Sequence, residues 1–455
     1  MMNAAPSRAP RRMRLGVVLA VALAAVLVAP AGAAAASVTF GTPWGDSTFG
    51  TGIVFTQPYS GSGIASASLA LTFPGEIGPE ISALKSVGSG SLTYTLDTSD
   101  GAIYPFEPIS AQFWVVFADG TQQAGPKFTV VYADDRYTWH SVKGGILTLH
   151  WIEGSSSFAN ALLSYGEKGI AKAATFFDVR ETQPIDFYIY PSAAVFEAGI
   201  NVPNTVGGQA KPEFRTCYAI VETWNLAYGS TVVPHELTHV AYQDLTGNPY
   251  HSPPNWLNEG LATYLSEGYG SDNRSLVSKA VSNGSLVPLP ALAGAFALDP
   301  SRIYLYYAEA TSAAEFMVRK YGQPAILKML QTYASGASDD QAFTTGLGVD
   351  PPSFDNAWLR DNGVAAAQTY GPQAAPTGPL PPGWDGSSST APPVSPTTPA
   401  ATPSGSSGSS GSQGGSSGNS DSAALLIAGL VALGGLVLLG VGALLYTQSE
   451  RPPAA

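Results

Sequence analysis

A His-Glu-x-x-His run at residues 235–239 constrains this chain more than any other feature. On a helix, residues four apart lie on one face one turn apart, so His235 and His239 would project together. Two imidazoles at this spacing suit a metal ion, and Glu236 beside them can accept a proton from a water. Pro234 predicts that this helix begins at the motif. The alternative is an amphipathic helix with two surface histidines.

A carboxylate further along the chain can complete the metal site. Glu259 follows His239 after nineteen intervening residues, which leaves room for a loop and a second helix. Pro253 and Pro254 predict a break, and Asn255 is a candidate cap for the next helix. Glu259 would then lie in the first turn of a helix that packs back against the first.

The motif and the run Trp256 to Ala262, which reads Trp-Leu-Asn-Glu-Gly-Leu-Ala, together resemble the gluzincin zinc metallopeptidases. The likeness is nearest to the membrane alanyl aminopeptidase and thermolysin branch and covers about residues 146–322. It implies an α+β fold with a thermolysin-like zincin catalytic domain, and a peptide or protein substrate. It also implies one Zn²⁺ per chain with Glu236 as the general base, and these zinc ligands: His235, His239 and Glu259.

A tyrosine could assist the same chemistry, because the oxyanion of peptide hydrolysis needs a hydrogen-bond donor besides the metal. Tyr304, Tyr306 and Tyr307 cluster at a predicted helix start. In the resembling enzymes a tyrosine before a helix has this role, and Tyr307 matches its position best. Tyr306 is the second candidate, and an aromatic cluster of this kind is also typical of a core.

One departure from the resembling aminopeptidases concerns substrate binding. Their Gly-x-Met-Glu-Asn run holds the free amine of the substrate, whereas the nearest match here, residues 206–210, reads Val-Gly-Gly-Gln-Ala. The resemblance therefore does not imply removal of single N-terminal residues. Residues 217–221 are predicted to be either an edge strand along which a peptide pairs or an ordinary buried strand.

The part of the chain between the predicted signal and stalk divides into two predicted domains. Short alternating runs separated by Gly, Pro and Asp predict a β-sandwich-like domain over residues 37–135. Residues 136–370 form the predicted metallopeptidase domain, with strands at 146–152 and 185–190 and a helix at 158–177. His140, His150 and His251 lack a motif spacing and are predicted to be structural or surface residues.

The two ends of the chain predict export and attachment to a membrane. Residues 1–36 have a basic start, a short apolar stretch and Ala34-Ala35-Ala36, as in a secretory signal peptide; a retained anchor is the alternative. Residues 371–422 form a Pro/Ser/Gly-rich stalk. Residues 423–446 predict a transmembrane helix, with a buried soluble helix as the alternative, and residues 447–455 a cytoplasmic tail.

Charge and cysteine content narrow the class of partner. The formal net charge is −12, and cleavage after residue 36 would remove four arginines and make it −16, which argues against a nucleic-acid partner. The single cysteine excludes an intrachain disulfide. The main hypothesis is a membrane-anchored, extracytoplasmic zinc peptidase. The alternatives are a catalytically silent cell-surface binding protein with a peptidase-like fold and, less favoured, a zinc-sequestering protein.

Overall fold

The computed structural model describes residues 37–201, 207–294, 296 and 302–365. The predicted signal peptide, stalk, transmembrane helix and tail lie outside these residues. Within the described part of the chain, no helix combines the length and apolar character that crossing a bilayer requires.

The first part of the chain is a sandwich of two antiparallel sheets. One sheet has the order β1-β3-β2, with β6 also paired to β3, and the other has the order β5-β4-β7-β8, with β9 also paired to β7. Their strands are β1 (Val38–Phe40), β2 (Trp44–Thr48), β3 (Gly52–Gly61), β4 (Ile64–Thr72), β5 (Glu80–Ala83), β6 (Ser91–Asp97), β7 (Glu107–Phe117), β8 (Gln122–Ala124) and β9 (Phe128–Tyr132). Alternate side chains from both sheets, such as Phe55 and Phe113, are fully buried in one shared core, which explains the period-2 sequence pattern.

A third, mixed sheet packs against the helices of the second domain. Its strands are β10 (His140–Gly144), β11 (Leu147–Trp151), β12 (Ile185–Tyr190), β13 (Gly208–Lys211) and β14 (Thr216–Ile220). The order is β10-β11-β12-β14-β13; β11, β12 and β14 are parallel, and the two outer strands are antiparallel to their neighbours. The prediction of an edge strand at residues 217–221 is therefore wrong, because β13 covers β14 and itself forms the edge.

The described residues contain nine helices, of which two lie between strands of this sheet along the chain and seven follow its last strand. They are α1 (Ser156–Phe177), α2 (Ala193–Ile200), α3 (Leu226–Thr246), α4 (Asn255–Ser266), α5 (Ser271–Asn283), α6 (Ile303–Tyr321), α7 (Gln323–Ala334), α8 (Asp339–Leu347) and α9 (Pro351–Asp361). Ser155 caps α1 by accepting a hydrogen bond of 3.2 Å from the backbone N–H of Phe158. The main hydrophobic core lies between these helices and one face of the mixed sheet.

Helices α1 and α3 pack closely because glycines of α1 face α3. A Cβ atom on Gly169 would lie 2.6 Å from Cβ of Pro234, so only glycine admits that proline here. The prediction that Pro234 lies in the first turn is wrong, because α3 begins at Leu226 with Asn225 as its cap. Pro234 is inside the helix, and the motif therefore lies on a long and firmly packed element.

The opposite face of the mixed sheet is covered by aromatic side chains from the β-sandwich. The hydroxyl of Tyr218 donates a hydrogen bond to the carbonyl of Pro105, and the Phe106 and Tyr188 rings stack at a centroid distance of 3.7 Å. The ammonium of Lys211 lies 3.8 Å from the Tyr104 ring centroid. The sandwich thus packs against the face of the mixed sheet that is opposite α3.

Candidate metal centre

The structure brings three of the predicted site residues into one buried cluster. His235 and His239 project from α3, and Glu259 projects from α4. The two Nε2 atoms are 3.1 Å apart, and Oε2 of Glu259 is 3.4 Å from His235 Nε2 and 3.6 Å from His239 Nε2. All three side chains are buried, and their ligand-type atoms converge on one point between the two helices.

Helix α4, which carries Glu259, is positioned by a close contact with α6. A Cβ atom on Gly260 would lie 2.3 Å from the carbonyl oxygen of Ala310, so the glycine lets the two backbones approach. The helix begins at Asn255 with Pro254 in the cap position and no side-chain cap. The predictions that Asn255 caps this helix and that Glu259 lies in its first turn are both wrong, since Asn255 is the first helical residue and Glu259 is the fifth.

Two polar side chains of α4 support the imidazoles from behind. Oδ1 of Asn258 lies 2.8 Å from Nδ1 of His239, and Oγ1 of Thr263 lies 3.5 Å from Nδ1 of His235. With Nδ1 of His239 donating its proton to Asn258, the lone pair on Nε2 is directed into the cluster. Neither role was predicted from the sequence, although Asn258 directly precedes Glu259 and Thr263 follows it by one helical turn.

The contact between Asn258 and His239 leads to a first testable prediction. Replacing Asn258 with Ala is expected to weaken zinc binding by about 10- to 100-fold, because the His239 ring loses the partner that fixes its orientation and tautomer. Zinc affinity is measured by competition with a chromogenic chelator. Asn283→Ala, which alters an exposed turn after α5, is the control. Equal affinity for zinc in both variants would contradict the assigned role.

Burial sets the protonation of the cluster. It lowers the pKa of His235 well below the usual range, an effect strengthened by the neighbouring His239. Burial lowers the pKa of His239 to about 4, although the hydrogen bond with Asn258 raises it. Both imidazoles are therefore neutral at neutral pH, which is the form that binds a metal. Burial likewise raises the pKa of Glu259 well above its usual range.

The donor set fits a zinc ion. Oε2 of Glu259 and both carboxylate oxygens of Glu236 are buried and have no hydrogen-bond partner among the described residues. Buried polar atoms without partners are costly, and a cation within reach of Glu259 would satisfy it. Two neutral imidazoles and one carboxylate are a donor set of catalytic zinc sites, in which one position stays open for water or substrate.

Glu236 lies beside this cluster and is fully buried. Its side chain reaches the backbone of Gly208 on the edge strand β13. Burial raises the pKa of Glu236 well above its usual range, and the charge of Glu259 raises it further. A carboxyl group with a raised pKa is a better proton acceptor than an ordinary surface carboxylate.

The three candidate tyrosines lie in the first turns of α6, as predicted. Tyr306 and Tyr307 are buried, while Tyr304 is partly exposed. The Tyr307 ring meets the Phe296 ring edge-on at 5.1 Å. Tyr307 lies one turn before Ala310, the point at which α6 meets the glycine that follows Glu259. This location keeps Tyr307 a candidate for the site.

The other histidines do not join the cluster. Nε2 of His150 lies 3.0 Å from Asp186, and Nε2 of His251 lies 3.0 Å from Asp339. The ring of His140 packs near Trp151 at a centroid distance of 5.5 Å. Among the described residues, His235, His239 and Glu259 form the only group of three or more metal-type side chains close enough to share an ion.

Comparison with known proteins finds one family that the helical part of the chain resembles. Residues 166–362 match the family described as the Peptidase MA superfamily. This match confirms the predicted resemblance of the segment to metallopeptidases of the Peptidase MA superfamily. The segment contains all five predicted site residues. No curated protein matches the sequence significantly.

Several solved structures are similar in part. One is an aminopeptidase N family protein from Idiomarina loihiensis, with 12% identity, 70% of this chain and 60% of that chain covered, and a TM-score of 0.34. Another is an M1 zinc metallopeptidase from Deinococcus radiodurans, with 13% identity and a TM-score of 0.35. That match covers 71% of this chain and 93% of the Deinococcus chain. The chain thus spans less than two thirds of the Idiomarina protein.

Proposed function

We propose that this chain is a membrane-anchored, extracytoplasmic zinc-dependent peptidase that hydrolyses peptide bonds in peptides or proteins. The observation that carries the proposal is the buried cluster of His235, His239 and Glu259 with Glu236 beside it. The match of residues 166–362 to the Peptidase MA superfamily supports the same class of reaction. The predicted signal, stalk and apolar C-terminal run support export and tethering.

Different side chains of the site would bind the metal, orient its ligands and transfer the proton. His235, His239 and Glu259 would hold the zinc ion, with Asn258 and Thr263 orienting the two imidazoles. Bound there, zinc supplies Lewis-acid chemistry, which polarises the scissile carbonyl and lowers the pKa of water. Glu236 accepts the proton of the attacking water and passes it to the leaving amine.

Burial makes Glu236 suited to both transfers. In water a glutamate is too weak a base to hold a proton at neutral pH. Here burial raises the pKa of Glu236, so the carboxylate holds the proton until the amine takes it. No described side chain forms a hydrogen bond with either carboxylate oxygen, so both remain available to water and amine.

Tyr307 is proposed as the donor to the oxyanion. Replacing Tyr307 with Phe is expected to lower kcat by about 100-fold, because the ring keeps its packing against Phe296 while the hydroxyl donor is lost. Zinc content and KM are expected to change little. Steady-state kinetics on a quenched fluorescent peptide measure the effect, with Tyr306→Phe as the matched control. A large loss of kcat in Tyr306→Phe with none in Tyr307→Phe would transfer the role to Tyr306.

A mixed peptide library tests the proposed reaction and defines its type. The purified chain is incubated with the library, with and without a chelator, and the products are read by mass spectrometry. Cleavage that stops with chelator and returns with zinc is expected, and the cut positions distinguish internal from terminal cleavage. Zinc binding without any cleavage would contradict the peptidase proposal and favour a catalytically silent binding protein.

A further inference from the structure

The edge strand β13 runs directly alongside the carboxylate of Glu236. A Cβ atom built on Gly208 would lie 2.0 Å from Oε1, 2.8 Å from Cδ and 3.1 Å from Cγ of Glu236. Non-bonded heavy atoms rest at about 3.5 Å or more, so a methyl group there would have to displace the carboxylate by an ångström or so. The carboxylate occupies the space that a side chain of residue 208 would otherwise fill.

Backbone conformation does not explain this glycine. Gly208 is absent from the residues with positive φ, and it pairs regularly with Ala219 of β14. Alanine could therefore adopt the same backbone without strain. The requirement for glycine at this position comes from its closeness to Glu236.

Packing, rather than hydrogen bonding, sets the position of the Glu236 carboxylate. Neither of its oxygens has a hydrogen-bond partner among the described residues. The thiol of Cys217, on β14, donates to the main-chain carbonyl of Glu236 at 3.6 Å, and this contact fixes the helix backbone but leaves the carboxylate unheld. The carboxylate packs directly against the backbone of Gly208, which has no side chain to keep it away.

We infer that Gly208 is a positioning residue for Glu236, and that the absence of its side chain places the base where it can reach the attacking water. This inference rests on the proposed function, because it concerns the general base of that reaction. A catalytic group displaced by about 1 Å loses much of its effect, so the close contact has a direct kinetic consequence.

The experiment replaces Gly208 with Ala in the full chain. We expect kcat to fall about 10- to 100-fold, while KM, zinc affinity and melting temperature stay near those of the parent. Gly270→Ala is the matched control, since nothing lies within 4 Å of a Cβ at that position and its φ is −79°. The control is expected to keep the parent's kcat and zinc affinity.

A second background shows whether the effect passes through Glu236. In Glu236→Asp the carboxylate ends one methylene short of the strand, so adding Gly208→Ala there is expected to cost at most about 2-fold in kcat. If Gly208→Ala alone lowers the melting temperature, the double variant is expected to restore it, because the shorter side chain withdraws the oxygen that would lie 2.0 Å from the added Cβ atom.

Three results would overturn the positioning role. They are an unchanged kcat in Gly208→Ala, an equal loss of kcat in both backgrounds, and a loss of zinc or stability that the double variant does not restore. Failure of the proposed function is a separate result, because the parent protein itself would then lack zinc or fail to cleave any peptide.

Discussion

A Glu236→Gln protein is expected to retain its zinc and its fold while kcat falls by about 1,000-fold or more. Glutamine has the same shape, so the packing against Gly208 and the neighbouring ligand cluster are preserved. Its amide cannot accept the proton of the attacking water at any working pH. Removing the charge of a buried carboxylate that lacks hydrogen bonds should not destabilise the domain.

Metal analysis and steady-state kinetics on the same preparation check this expectation. Glu315→Gln is the matched control, because it makes the same chemical change at a partly exposed position of α6, where Glu315 pairs with Arg319. The control is expected to keep both its zinc and its activity. A metal-replete Glu236→Gln protein with the parent's kcat would refute the assignment of the general base.

His239→Ala is expected to have the largest effect on the metal. Zinc binds to protein sites with a free energy of about 10–16 kcal/mol. Divided over a few ligands, this implies that removing one ligand costs roughly 3 kcal/mol of binding free energy, or more than 100-fold in affinity. The change also leaves Oδ1 of Asn258 without its partner and opens a cavity at the centre of the cluster. Peptide hydrolysis is expected to disappear along with the metal.

His251→Ala is the control for His239→Ala, because it removes a histidine that lies outside the metal cluster. His251 is partly exposed and bonds Asp339 on α8, outside the cluster. That variant is expected to bind zinc with the parent's affinity when titrated against the same chelator. If His239→Ala bound zinc as tightly as His251→Ala, the three-ligand cluster would not be the metal site.

The convergence of the cluster was predictable from sequence because helical spacing fixes it locally. His235 and His239 are one turn apart on any α-helix, and the proline-rich loop before Glu259 requires a new helix close by. The helix predicted at residues 158–177 corresponds to α1, which begins two residues earlier, directly after the Ser155 cap. These features depend on neighbours in the chain, so a single sequence contains the necessary information.

Two of the wrong predictions depended on contacts between distant segments. Pro234 inside α3 is tolerated because Gly169 of α1 makes room for it, and no local pattern shows that pairing. The edge position of β13 depends on how five strands are ordered, and its four residues carry no strong strand signal. The role of Gly208 arises from the same tertiary contact between β13 and α3.

The zinc content of the purified chain tests the central claim most directly. The protein is prepared without added metal and analysed by inductively coupled plasma mass spectrometry, alongside His239→Ala. We predict close to one zinc per folded parent chain, removable by chelator and restored on titration, and little zinc in His239→Ala. A folded parent chain that contains no zinc, and takes up none when zinc is added, would contradict the account.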